Sequence, residues 1–162
     1  MEKEVTVSNT SSLIFMGKLN VFSLAKQMYT KILVPKEVVS ELFRFDKPEN
    51  NVIREELEQG FIQEVSVKDV MDLPLDSGEK AALSLCVEKK IVTLLSDDKT
   101  AREYAYSLGI SAVGVIGIIL QNMKGSTITK KKARELLDML ITEGYYLSSD
   151  IYAEVLRLIE AG

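Results

Sequence analysis

IVTLLSDDKTAR, residues 91–102, decides the fold. Its apolar and β-branched opening predicts a strand over 91–95. Ser96, Asp97 and Asp98 are the polar types that start helices, and a helix over 98–108 would close at Gly109. A strand that feeds directly into a helix is the repeating unit of a parallel sheet flanked by helices. Sheets of that kind bind ligands beyond the carboxyl ends of their strands, so position alone makes Asp97 and Asp98 candidates for function.

The same alternation continues on both sides. Upstream, residues 4–7 read as a short strand, and Asn9, Thr10 and Ser11 stand as capping types before the apolar Leu13, Ile14 and Phe15. An amphipathic stretch over 21–28 precedes a brief strand over 32–34, and Pro35 opens a helix over 36–45. Residues 50–59 suggest another helix, and 61–67 are too polar for a central strand, so an edge element or an extended connection is expected there. A helix over 77–89 leads into the stretch quoted first. Downstream, 112–115 predicts the last strand, followed by helices over 116–123, 129–142 and 149–160. The expected architecture is three-layer α/β/α, with a mainly parallel sheet of four to five strands and a helical C-terminal tail.

A chain of 162 residues with 46% hydrophobic content reads as one domain, with a core over about 4–125 and a helical extension over about 126–162. Charged residues make up 27%, and no linker, low-complexity tract or repeat interrupts the chain. The absence of histidine excludes serine and cysteine triads, histidine general bases and the usual zinc hydrolase ligands. One cysteine, Cys86, leaves no internal disulfide and no multi-thiolate zinc site. What survives is hard-cation chemistry on oxygen ligands, for which Mg²⁺ and Mn²⁺ need only carboxylates, carbonyls and water. A net charge of −4 argues against a basic nucleic-acid-coating surface, although acids neutralised by bound ions would weaken that argument. The N-terminal residues lack a charged-then-apolar signal pattern, and the longest apolar run, 112–120, is too short to span a bilayer, so a cytoplasmic protein without membrane contact is expected.

Glu79 is anomalous in helix geometry. Ala82, Leu83 and Cys86 lie three, four and seven positions on, so its carboxylate projects from the apolar face and needs a partner. The alternative is a capping box with Asp76. Glu41 lies on the flank of a stripe formed by Val38, Leu42 and Phe45, where an ordinary surface acid also fits. For the aspartate pair, the alternative has Asp97 capping the following helix and Asp98 pairing with Arg102. Asn9 ends its strand as an ordinary cap would. The KKKAR run, 130–134, reads as a solvated helix face, and Phe15, Phe22, Met28 and Tyr29 as either core or a homodimer surface.

Taken together and in order, four motifs resemble the PIN domain family: VxNTSxLI at 7–14, PxxVxxEL at 35–42, DxGExxA at 76–82 and LLSDDxxAR at 94–102. The likeness covers roughly 5–115, and GISAVGVIGIIL at 109–120 extends it toward a prokaryotic branch related to VapC-type toxins. The resemblance implies a nuclease dependent on Mg²⁺ or Mn²⁺, acting mostly on RNA, with an acidic cleft at the carboxyl end of its sheet. It matches Asn9 to the first acidic position, Glu41 to the second, Glu79 to the third and Asp98 to the aspartate of the family's T-x-D turn, with Ser96 in the threonine position. Asp97 becomes an additional acid for a second ion or a water. Thr10 and Ser11 would orient a water or phosphate, and Lys99 and Arg102 are the nearest cations for substrate phosphate. An antitoxin-like partner protein and a homodimer are further implications. Asn9 offers a carbonyl oxygen and no charge, so the matched quartet carries −3 rather than −4, and a catalytically impaired module that binds RNA or protein is the alternative reading.

Overall fold

The computed structural model describes residues 3–162. Strands β1 (Glu4–Ser8), β2 (Tyr29–Pro35), β3 (Ile62–Val65), β4 (Thr93–Leu95) and β5 (Ser111–Val113) form one sheet in the order β3-β2-β1-β4-β5. Every pairing is parallel: Thr6 lies opposite Ile32, Val7 opposite Leu94, Val34 opposite Glu64 and Leu94 opposite Ala112. The polar 61–67 stretch is thus a short margin strand, as its composition suggests.

Period-two alternation sorts the strand side chains between two faces. Val7, Leu33 and Leu94 point to one cluster, which they share with Leu83, Leu85 and Cys86 of α5 (Ser77–Lys89) and Ala105 of α6 (Lys99–Ser107). Ile32, Val34 and Leu95 point to the other. There they meet α1 (Thr10–Leu19), α2 (Phe22–Met28), α3 (Lys36–Leu42), α4 (Asn50–Gln59), α7 (Val115–Lys124), α8 (Lys130–Thr142) and α9 (Ser149–Ala161). The result is the expected three layers.

Several boundaries differ from the sequence reading, each for a local reason. The third helix stops at Leu42 instead of 45, because Phe43 closes its last turn through Val39 O and Phe45 turns outward into solvent. The strand expected over 112–115 ends at Val113, and Val115 is the first residue of α7. Leu136, Leu137, Leu140, Val155 and Ile159 of the C-terminal helices are buried in the same cluster as Leu13 and Met16, so the tail completes the core. Phe22 and Tyr29 are buried and Phe15 and Met28 are half-buried against that cluster, which is the core reading of these four residues. Among the described residues no helix is long and apolar enough to cross a membrane.

Candidate active site

The carboxyl ends of β1 and β4 lie side by side, with the Asn9 amide bonded to Leu95 O at 3.1 Å. From there the chain enters α1, and the extended Asn9 backbone lets its Oδ1 accept from Ser12 N at 3.2 Å as an N-cap. Its other end is also engaged: Nδ2 donates to Ser96 Oγ at 3.0 Å. Ser96 is fully buried and also accepts from Asp98 N at 3.3 Å, so Asn9 braces the turn that follows β4.

Glu41, arriving on α3, ties together two helix starts. Its Oε2 accepts from Thr10 Oγ1 at 2.5 Å and its Oε1 from Gly78 N at 2.9 Å. Both are charge-assisted bonds, which run shorter than neutral ones. The glycine of the DxGE motif admits this approach, since a Cβ on Gly78 would stand 2.7 and 2.8 Å from the two carboxylate oxygens and force the Glu41 side chain to shift. Thr10, expected to orient a water or a phosphate, is therefore already committed to Glu41. Ser11 is half-buried, and its hydroxyl has no hydrogen-bond partner among the described residues.

Asp76 caps α5 by accepting from Glu79 N at 2.9 Å, but the Glu79 side chain does not reciprocate, so only half of a capping box forms. Glu79 instead turns its carboxyl toward other acids. Burial foremost, then the charges of Asp76 and Asp98 and more weakly that of Glu41, push it up to about 7. Asp98 at the start of α6 and Glu41 on α3 are thus near enough for their charges to act on Glu79.

The neighbouring aspartates divide their roles opposite to the alternative drawn from sequence. Asp98 is the cap of α6, accepting from Ala101 N at 2.8 Å, and no Asp98–Arg102 ion pair forms among the described residues. Asp97 is bound from three sides: Oδ1 accepts from Val115 N at 3.0 Å and from Tyr145 Oη at 2.7 Å, and Oδ2 from Ser12 Oγ at 2.7 Å. Protein donors thus take three of the acceptor positions of the acid expected to serve a second ion or a water. Lys99 and Arg102 are exposed on the first turn of α6 and line an open groove of about 1090 Å³ with Tyr106 and Tyr146, which are 85% and 88% exposed. Far along the chain, Arg134 of the KKKAR run pairs with Glu160, and Lys130 Nζ donates to the Glu160 carbonyl at 3.0 Å. Cys86 has no part in this chemistry, for burial pushes its thiol up to about 12.

Sequence reasoning missed Ser12, Gly78 and Tyr145. Gly78 was legible inside the DxGE motif, whereas nothing local marks a tyrosine between two C-terminal helices as a partner of Asp97.

The family model described as "DUF3368: PIN domain" matches residues 5–161. The chain belongs to the PIN domain family. No curated protein matches it. Among solved structures, a PilT N-terminus domain protein from the hyperthermophilic archaeon Sulfolobus solfataricus P2 is similar in fold. The two share 18% identity at a TM-score of 0.51, over 89% of this chain and 99% of that one. PIN domains are in general metal-dependent nucleases. Among the described residues, however, no three acidic or cysteine side chains are grouped to hold one ion. Mg²⁺ commonly takes one or two carboxylates and keeps several waters for exchange with substrate phosphates. The oxygen-only donors Glu79 and Asp98 fit a hydrated hard cation of that kind, and not an all-protein cage.

Proposed function

We propose that this PIN domain is a divalent-metal-dependent ribonuclease that hydrolyses RNA phosphodiester bonds, with Glu79 and Asp98 as ligands for Mg²⁺ or Mn²⁺. The observation that carries the reading is the carboxyl of Glu79, held near 7 by burial and by the acids around it. A group displaced in that way, at the carboxyl edge of a parallel sheet, is a functional-site candidate with a physical cause.

A bound ion would supply an acidified water and neutralise charge on the scissile phosphate. The chain's own residues do the rest. Glu41 keeps the starts of α1 and α5 together, and so holds Glu79 at the cleft. Asn9 and Ser96 fix the turn that presents Asp98. Lys99 and Arg102 receive phosphates along the groove, and Tyr106 and Tyr146 offer exposed faces on which unpaired bases stack.

The test pairs Mn²⁺ binding with cleavage of a fluorescent single-stranded RNA, for the native chain, Glu79→Gln and Asn9→Asp. Native cleavage lost in Glu79→Gln supports the proposal. Neither metal uptake nor cleavage in the native chain and in Asn9→Asp refutes it. A toxin-like role predicts growth arrest on expression, relieved by Glu79→Gln. The second reading, a catalytically impaired module that binds RNA or protein, is favoured by Asn9, whose amide is committed at both ends and brings no charge to the cleft. RNA binding without cleavage, with cleavage gained in Asn9→Asp, selects it.

A further inference from the structure

We propose that Tyr145, in the C-terminal extension, is a positioning residue for the metal-binding edge of the cleft, acting through Asp97 on the turn that presents Asp98. The inference rests on the reading of Glu79 and Asp98 as metal ligands and adds to it a role for a residue distant from the motifs.

Ser96, Asp97 and Asp98 are the whole link between β4 and α6. One side of this link is held by the sheet, through Ser96 N to Val113 O at 3.1 Å, and by Asn9. Its other side is held by the Asp97 carboxylate, and each of that group's three donors comes from a different element. Ser12 belongs to α1, Val115 is the first residue of α7, and Tyr145 follows α8. The fit is close: a Cβ on Gly114 would collide with Asp97 Oδ1, so a side chain at that position would have to displace the carboxylate beside α7.

Tyr145 is itself fixed before it reaches Asp97. Its backbone N–H bonds to Leu140 O at 3.1 Å, and its ring meets Phe15 edge to face at 5.1 Å between centroids. Burial first, and then the charge of Asp97, push the tyrosine hydroxyl far above its ordinary value, so it stays a donor. The bond at 2.7 Å to a carboxylate is of the charge-assisted class, the stronger kind. Loss of that hydroxyl leaves a half-buried carboxylate one donor short, directly beside the residue that should face the ion.

Tyr145→Phe in the full chain keeps the ring contact and removes only the hydroxyl. Amide hydrogen exchange should then quicken about tenfold or more at Val115, which donates to Asp97, and at Ala101, which donates to Asp98, while Ile32 in the central sheet stays unchanged. Mn²⁺ should bind about tenfold more weakly, with a melting temperature lowered by only a few degrees. Unchanged exchange at Val115 and Ala101, or a loss no larger than at Ile32, overturns the proposal. So does a native Mn²⁺ affinity retained in full. If the native chain takes up no Mn²⁺ the metal-site reading fails by itself, and the exchange comparison still decides whether Tyr145 fixes the turn.

Discussion

Glu79→Gln is the perturbation whose magnitude follows most directly from the structure. In the folded chain the carboxyl is pushed from its ordinary 4.5 to about 7 by burial and by the charges of Asp76, Asp98 and Glu41. A raised acid favours folding while it can hold its proton, so its contribution is fully present below about 4.5 and is lost as pH rises through about 7. At about 1.4 kcal/mol per tenfold change in proton affinity the whole displacement is about 3.4 kcal/mol. Glu79 is half-exposed, and solvent screening reduces this to roughly 1–2 kcal/mol. Glutamine removes the charge, so in chelator the variant should be more stable than the native chain at pH 8 by that amount, about 3–6 °C in melting temperature for a chain of this size, and equal to it near pH 4.5. Thermal denaturation at both pH values, with and without Mn²⁺, measures it. Mn²⁺ at a hundredfold its dissociation constant should stabilise the native chain by about 2.7 kcal/mol at pH 8 and leave Glu79→Gln nearly unmoved. A difference between the two chains that does not vary with pH, or a variant that is less stable at pH 8, refutes the reasoning.

Gly78→Ala drives a methyl group into the Glu41 carboxylate and should cost about 1–3 kcal/mol in chemical denaturation, together with weaker Mn²⁺ binding, because Glu79 is the next residue. Asn9→Asp adds a fourth acid to the cleft and should lower stability in chelator by about 1 kcal/mol while tightening Mn²⁺, which calorimetry reads directly. Lys99→Ala and Arg102→Ala should each weaken RNA binding and lower its salt dependence by about one ion, read by fluorescence anisotropy over a salt series. Lys131→Ala with Lys132→Ala should change neither, since those side chains are exposed on α8 and line no part of the groove.

Glu79 was legible in part because helix geometry is local: Ala82, Leu83 and Cys86, in register with it, are buried, although Ala81, Ser84 and Leu85 on the other sides of α5 are buried too. The alternation of strands and helices was legible for the same reason, since period and caps are written within a dozen residues. The two adjacent aspartates were not. Which of them turns toward the cleft is set by the α7 amide 18 residues on and by a tyrosine 48 residues on, and a contact of that reach leaves no trace in spacing. Glu41 was obscure on similar grounds, for its partners are a threonine 31 residues before it and a backbone N–H 37 residues after it. Its helix alone describes a surface acid.

Asn9 reads differently once its neighbours are known. Both ends of the amide are used, Oδ1 on Ser12 N and Nδ2 on Ser96 Oγ, so this residue is satisfied within the fold and no local distortion accompanies it. An aspartate could cap α1 equally well, and on the other side the Ser96 hydroxyl, which now accepts, could rotate to donate its own hydrogen. The number of bonds around Ser96 would not change. What separates the two side chains at this position is therefore charge and hardly geometry. Glu79 is already pushed up to about 7 by burial first and by neighbouring acids second, so a further acid at the same sheet edge would oppose the metal-free cleft and, on the proposed reading, favour the loaded one. On the proposed metal site, asparagine would shift the balance toward a cleft that is stable when empty and a cation that is held less tightly.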